Sequence, residues 1–476
     1  MIAHEKRDWS LGLLFIGLSM LALSLAMGAL IPTLTPSIET EWFIPSSFGS
    51  VFFVCLIIGS ATVWLTDWRH RRFLLFTFLI AFFVRVILAI VFYYYLLFYY
   101  GYNGFEMNDD WWWDFHGKLV ASGGLAALQT QFSAGYILFN AVIYKLAGPY
   151  PLNVRVANAL IGALIPLAGF HLSKRLFEND ERLARRVATW LVWWPSQLVF
   201  SGLQQKDIVL ALALTTGTLA IIQMYRDGVR LSSAMLFLGS LVIAASIRNF
   251  AADLLVLTAM FAAVHASYRN KRLFAGVWLL ILVVGLASGI GYILQHVIGT
   301  GSVFAIQEQY LYRSEGIIHE VENAIWSQPS GVNSLLFGPL APLRVVVGSV
   351  VFLVSPFPPA FTWQTNFSAS LLSLATPLWF LLLPYIFVAI MRLIRKQRES
   401  MLLLVMLPVL ATMVANAWLV SGTIPRQRVM VEPLIVLLAA WGFHISSPVQ
   451  RWHCLLWSTA LVSLSAGLYT FLRGLV

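Results

Sequence analysis

The chain is 476 residues long, 59% hydrophobic and only 11% charged, with a formal net charge of +10 at pH 7. A soluble fold of this size cannot bury that much apolar surface, so the sequence reads as an all-α polytopic membrane protein. The positive balance is not a nucleic-acid signature, because the basic residues fall mostly in short loops between apolar runs, as cytoplasmic loops do.

His4 to Asp8 precede an apolar run from about Ser10 to Ile31, too long for a signal-peptide core, which reads as an uncleaved first span with a cytoplasmic N-terminus. The second span is Phe43 to Leu65, with Glu39 and Glu41 in the outer loop before it. Cys55 lies in this run and Cys454 in a later one, which supports neither a disulfide framework nor a cysteine zinc site. The basic stretch 67–72 is cytoplasmic, and Phe73 to about Tyr100 carries the chain out. Arg85 lies inside that span. A charge at such depth costs ~3 kcal/mol on insertion scales, so it is expected to face protein and to have a partner.

Phe132 to Ala147 is apolar but short and is closed by Gly148 and Pro149, which reads as a juxtamembrane segment on the outer face. Counting it as a crossing would put Lys174, Arg175, Arg182, Arg185 and Arg186 outside, against the charge rule. Spans follow at Arg155–Phe177, Val187–Leu203, Ile208–Met224, 231–247, 250–267 and Leu273–His296. A loop at 297–340 and a proline-broken segment at 341–360 come next. Spans at Ser370–Ile394, Met401–Val420, 430–446 and 454–472 complete about thirteen crossings. The organisation is two N-terminal helices (1–72), a transmembrane core (73–296), an outer loop with a juxtamembrane segment (297–369) and C-terminal transmembrane helices (370–476).

The stretch Glu106 to Lys118 stands apart. It gathers Glu106, Asp109, Asp110 and Asp114, with His116 and three consecutive tryptophans, directly after a span. Tryptophan favours the membrane–water interface. In a helix, Asp110, Asp114 and Lys118 share one face, and Asp109, Trp112, Trp113 and His116 share its neighbour. Acids held together at an interface suit proton abstraction, or phosphate and metal chemistry. The topology puts Lys206, Asp207, Arg426 and Arg428 on the same outer face. Acids and cations converging there suit an anionic substrate. A transporter would be expected to keep its charges near the bilayer midplane.

This pattern resembles the GT-C superfamily of integral membrane glycosyltransferases, which includes protein O-mannosyltransferases, lipid A aminoarabinose transferases and oligosaccharyltransferase catalytic subunits. The acidic pair with a following aromatic matches Asp109-Asp110-Trp111. The short aromatic helix and the arginine-opened span match Gly135 to Gly148 and Arg155 to Arg175. An acid at the outer end of a later span matches Asp207, and the late Arg-x-Arg with an acid–proline step matches Arg426, Arg428, Glu432 and Pro433. Two features differ: two spans precede the core, and Thr130 to Ser133 stands where some relatives carry lysine and two prolines.

The resemblance implies a GT-C-like fold with outer-face juxtamembrane helices, in the cytoplasmic membrane of a prokaryote. It implies transfer of a sugar from a polyprenyl-phosphate or diphosphate donor to a lipid or glycan acceptor at the outer face, in cell-surface polysaccharide or glycolipid assembly. One carboxylate then suffices as base, since the leaving phosphate is already stable as an anion. Asp109 is the first candidate and Asp110 the second, with Asp114, His116, Lys206, Asp207, Arg426 and Arg428 expected to bind substrate. A divalent metal shared by the acids is a further expectation. Bland readings stand beside these. Arg426 and Arg428 also fit headgroup-level snorkelling, Lys206 and Asp207 fit a local ion pair, and His116 fits a polar loop residue. A lipid-oligosaccharide flippase and a polysaccharide polymerase or ligase are the alternative functions.

Overall fold

The structure, a computed structural model, describes residues 45–66, 69–100, 105, 109–124, 133–178, 180–270, 376–395, 401–420 and 425–474, with isolated positions between 345 and 372. The expected spans at Ser10–Ile31 and Leu273–His296, the 297–340 loop, most of 341–360 and Glu106 lie outside the described residues. Among the described residues there are fourteen α-helices and no strand. They are α1 (Pro45–Thr66), α2 (Arg71–Tyr100), α3 (Asp109–Ala121), α4 (Ala134–Ala147), α5 (Pro151–Leu176), α6 (Glu181–Val192), α7 (Pro195–Gly202), α8 (Asp207–Asp227), α9 (Leu231–Ile247), α10 (Asn249–Asn270), α11 (Thr376–Arg395), α12 (Leu402–Val420), α13 (Glu432–Ile445) and α14 (Pro448–Gly474). A short 3₁₀ turn, Pro425–Arg428, joins α12 to α13.

The chain is an all-α polytopic membrane protein. Six helices (α1, α2, α5, α8, α10 and α11) are long and apolar enough to cross a bilayer. Burial sorts them. The apolar windows of α5 and α8 are 83% and 78% buried, whereas those of the other four are 28–44% buried. A helix apolar all round and covered on every side belongs to the centre, so α5 and α8 form the axis and the others present a face to lipid. Helices α1, α2, α6, α7 and α8 pack around α5. Gly162 lets this happen: a Cβ there would lie 2.6 Å from the Ser201 side chain and 2.9 Å from Arg85 Nε.

Helix α4 has 14 residues, a length of about 21 Å, too short to cross a ~30 Å core. It packs along α3, and Gly148, at φ 90°, turns the chain out of it into Pro151. That φ is a region other residues rarely enter.

The expected span at Val187–Leu203 is instead two helices, α6 and α7, broken at Trp193 and Trp194. The reason is Pro195. It has no N–H for the Leu191 carbonyl, and it holds Trp194 extended at ψ 117°. The break explains the buried Arg85, which is fully enclosed. Arg85 donates from Nη1 to Val192 O at 3.2 Å and from Nη2 to Leu191 O at 3.2 Å, with Nη1 also 3.0 Å from Ala81 O. Its partner is therefore not a carboxylate but the carbonyl end of α6, where a helix dipole favours a cation. At its other end α6 starts earlier than expected, capped by Asp180, whose carboxylate accepts from Leu183 N at 2.9 Å. Asp180 also meets His444 at 3.0 Å, and Glu181 pairs with Arg185 and with His70, so this basic end is tied together from three distant parts of the chain.

Candidate active site

The acidic stretch is helical from Asp109. At 13 residues α3 lies beside the spans and does not cross. Its amphipathic pattern is inverted relative to a soluble helix. Trp111, Trp112, Phe115 and Leu119 are exposed, while Asp110, Trp113, Asp114 and His116 are buried. The polar face points into protein because α4 supplies polar partners there. Tyr136, Asn140 and Tyr144 recur at i, i+4, i+8 and so share one face of α4.

Each of these three side chains is engaged. Tyr144 donates its hydroxyl to Asp114 Oδ1 and accepts from Gln204 Nε2 at 2.9 Å. Asn140 donates to Trp113 O at 3.1 Å. Tyr136 Oη accepts from Asn158 Nδ2 at 2.9 Å, and Asn158 also donates to Leu203 O at 2.8 Å. Asn158, on the buried axis α5, thereby fixes the turn 203–206 that carries the next site residues.

Asp114 is 4% exposed and pairs with Lys118 Nζ at 2.8 Å, the expected i, i+4 partner. Burial raises its carboxyl above the ordinary carboxylate range, while Lys118 and Tyr144 pull it back. Asp110 is fully buried and accepts from the Trp111 backbone N–H at 3.0 Å, close to the positive end of its own helix. Arg155, fully buried on α5, acts electrostatically on both Asp110 and Asp114, and its guanidinium lies 5.3 Å from the Tyr93 ring. Asp109 opens α3, and its side chain lies outside the described residues. His116 Nδ1 is 3.0 Å from Trp112 O. A carbonyl can only accept, so Nδ1 is the donor in this bond.

Lys206 and Asp207 are not paired with each other. Lys206 donates to Ser133 Oγ at 2.6 Å and lies 4.4 Å from the Trp113 ring centroid. Ser133 adopts φ 64°, ψ 38°, a left-handed conformation that a non-glycine residue holds only under constraint. Asp207, fully buried at the first turn of α8, takes Arg426 Nε on Oδ2 at 2.7 Å. Arg426 Nη2 reaches Gln205 Oε1 at 2.6 Å. Asp207 Oδ1 has no hydrogen-bond partner among the described residues.

Arg426 and Arg428 part company. Successive residues of a 3₁₀ turn are about 120° apart, so positions two apart diverge by about 240°. Arg428 accordingly faces Glu432 (Nε to Oε1, 3.1 Å) and lies 3.8 Å over the Trp379 ring, 5% exposed in its side chain. Of the two arginines expected to act on one phosphate, Arg426 reaches the Asp207 group and Arg428 faces Glu432.

The 203–207 turn links Asp114, through Tyr144 and Gln204, to Lys206, Asp207 and Arg426, while Arg155 acts on Asp110 and His116 bonds within its own helix. Sequence reasoning missed Arg155, Tyr144, Asn158 and Gln204. Arg155 marked only the start of a span, yet an arginine among apolar residues was the signal that could have raised it. Among the described residues no group of three histidine, cysteine or acidic side chains is placed to hold a metal ion.

No family model matches the sequence, and no curated protein matches it. Among solved structures, the chain is similar to ArnT from Cupriavidus metallidurans bound to undecaprenyl phosphate, at 16% identity and a TM-score of 0.43, over 74% of this chain and 58% of that one. It is also similar to the archaeal oligosaccharyltransferase AglB from Archaeoglobus fulgidus in complex with an inhibitory peptide and a dolichol-phosphate, at 15% identity and a TM-score of 0.49, over 84% of this chain and 55% of that one. The chain therefore spans little more than half the length of either structure.

Proposed function

We propose that this protein is a GT-C-type membrane glycosyltransferase that moves a sugar from a polyprenyl-phosphate or diphosphate donor to a lipid or glycan acceptor at the outer face of a prokaryotic cytoplasmic membrane. The observation that carries the reading is the position of the polar network. Asp110 lies in the first turn of α3, Asp207 begins α8 and Arg426 lies on the turn between α12 and α13. Charges at helix ends support a site at headgroup level over a transporter's site, which is expected near the midplane of a span.

In this mechanism the acceptor hydroxyl attacks the anomeric carbon, and its proton passes to a carboxylate of the Asp109–Asp110 pair. The C–O bond to phosphate breaks and the electron pair leaves with the phosphate. Arg426 is the cation for the growing phosphate charge, since a guanidinium matches phosphate oxygens and two of its nitrogens are already oriented by Asp207 and Gln205. Asp207 Oδ1, buried without a partner among the described residues, is left to accept from a substrate hydroxyl. Lys206 supplies a second positive charge beside α3.

The test is turnover of a radiolabelled polyprenyl-phosphate sugar in detergent. Asp109→Asn is expected to lower transfer by roughly 10²–10⁴-fold while sparing donor binding. Near-normal turnover by folded Asp109→Asn moves the base to Asp110, and near-normal turnover by both Asn variants removes the pair from the mechanism.

A further inference from the structure

Glu432 is a buried carboxylate, 1% exposed, that the mechanism above does not use. It stands at the start of α13, ahead of Pro433, where a helix dipole favours an anion. Both oxygens are taken. Oε1 accepts from Arg428 Nε at 3.1 Å, and Oε2 accepts from Trp194 Nε1 at 3.1 Å and from Ser196 Oγ. Those last two donors flank Pro195, the break between α6 and α7. A second strut runs alongside, from Gln197 Nε2 to Val429 O at 2.9 Å.

These bonds converge on one short piece of chain. Arg428 is held at its other nitrogen by Phe352 O at 3.0 Å and from above by the Trp379 ring. The 3₁₀ turn continues into α13 through Val429 N to Arg426 O at 3.1 Å and Val431 N to Arg428 O at 2.9 Å. Arg426 therefore sits two residues from a fixed point. Its own side chain is 25% exposed and reaches Asp207 and Gln205 across a gap between elements far apart in sequence. A four-residue 3₁₀ turn is too short to be rigid by its own hydrogen bonds. Its orientation comes from what holds it, and Glu432 is the charged member of that set beside Gln197, Phe352 and Trp379.

We propose that Glu432 is a positioning residue for the candidate site: through Arg428 it fixes the 425–428 turn so that the Arg426 guanidinium stands against Asp207 and Gln205. This rests on the reading of Arg426 as the phosphate-binding cation, but the placement of Arg426 can be measured without any ligand. Glu432→Gln keeps the shape and removes the charge that draws Arg428.

The experiment has two readouts on purified full-length protein in detergent. The first is the coupling between Arg426 and Asp207, measured as a double-mutant cycle in unfolding, in wild-type and Glu432→Gln backgrounds. Coupling of roughly a hundredfold in the unfolding constant is expected in the wild type and its loss in the variant. Persistence of the coupling in Glu432→Gln overturns the inference, whatever the ligand. Should Glu432→Gln fail to fold, Arg428→Lys keeps the charge but loses the planar fork, and the same loss of coupling is expected.

The second readout is affinity for farnesyl phosphate. Arg426→Ala and Glu432→Gln are each expected to weaken it about tenfold, and the double variant to be no weaker than Arg426→Ala alone. Additive losses would mean that Glu432 does not act through Arg426 and would overturn the proposal. Unchanged affinity in Arg426→Ala, with the coupling result intact, would instead reject the phosphate reading and leave the positioning standing.

Discussion

The Arg426–Asp207 pair makes an asymmetric prediction, because its two members differ in burial. Asp207 is 1% exposed in its side chain and Arg426 is 25% exposed. In Arg426→Ala the carboxylate loses its Oδ2 partner, and its Oδ1 has none among the described residues to begin with. Removing one partner of a buried pair costs about 3–5 kcal/mol, since a charge is left enclosed and unpaired. Lys206 and Arg248 also act on this carboxylate electrostatically, which places the expected loss near the low end, about 3 kcal/mol. In Asp207→Ala the orphan is the arginine, which keeps Gln205 and is open to water, so the expected loss is about 1–2 kcal/mol. Arg426→Met combined with Asp207→Leu removes both charges and should return to within about 1 kcal/mol of wild type. The assay is equilibrium unfolding in mixed micelles, titrated with denaturing detergent and followed by tryptophan fluorescence. Equal losses in the two single variants, or a double variant as unstable as Arg426→Ala, would refute the reasoning.

Topology and pH supply two further predictions. Single cysteines at positions 109 and 427 should react with an impermeant maleimide from the outer face, and one at position 70 only from the cytoplasm; labelling of 109 from the cytoplasmic side would refute the site's placement. Burial raises the Asp114 carboxyl above its ordinary value, so the folded state holds this proton more tightly than the unfolded chain does. Its contribution to stability is then complete below the ordinary carboxylate pKa and is lost as pH rises through the raised value. Asp114→Asn should flatten the pH dependence of unfolding over that acid window, and an unaltered slope would show that Asp114 is not the group responsible.

The sequence alone determined the class, most of the apolar helices among the described residues and the candidate site's raw material. A 59% hydrophobic chain with basic residues at the ends of apolar runs has few ways to fold other than as membrane helices. The i, i+4 spacing of Asp110, Asp114 and Lys118 was enough to pair the last two, because helical geometry is local. Pro195 was legible as well, but its effect was not. A proline forbids one hydrogen bond, whereas what becomes of the freed carbonyl depends on a neighbour, here Arg85, 106 positions away.

Only the tertiary structure decided which polar groups meet. Lys206 and Asp207 are adjacent in sequence, yet one bonds Ser133 and the other Arg426, because a helix begins between them. Arg426 and Arg428 looked like one clamp, but a 3₁₀ turn sends them to different acids. Arg155, Tyr144 and Asn158 were unremarked in an apolar background and became site residues when α4 and α5 brought them against α3 and the 203–206 turn. Burial makes such long-range pairings obligatory, since a charge shut away from water must find whatever partner the packing provides.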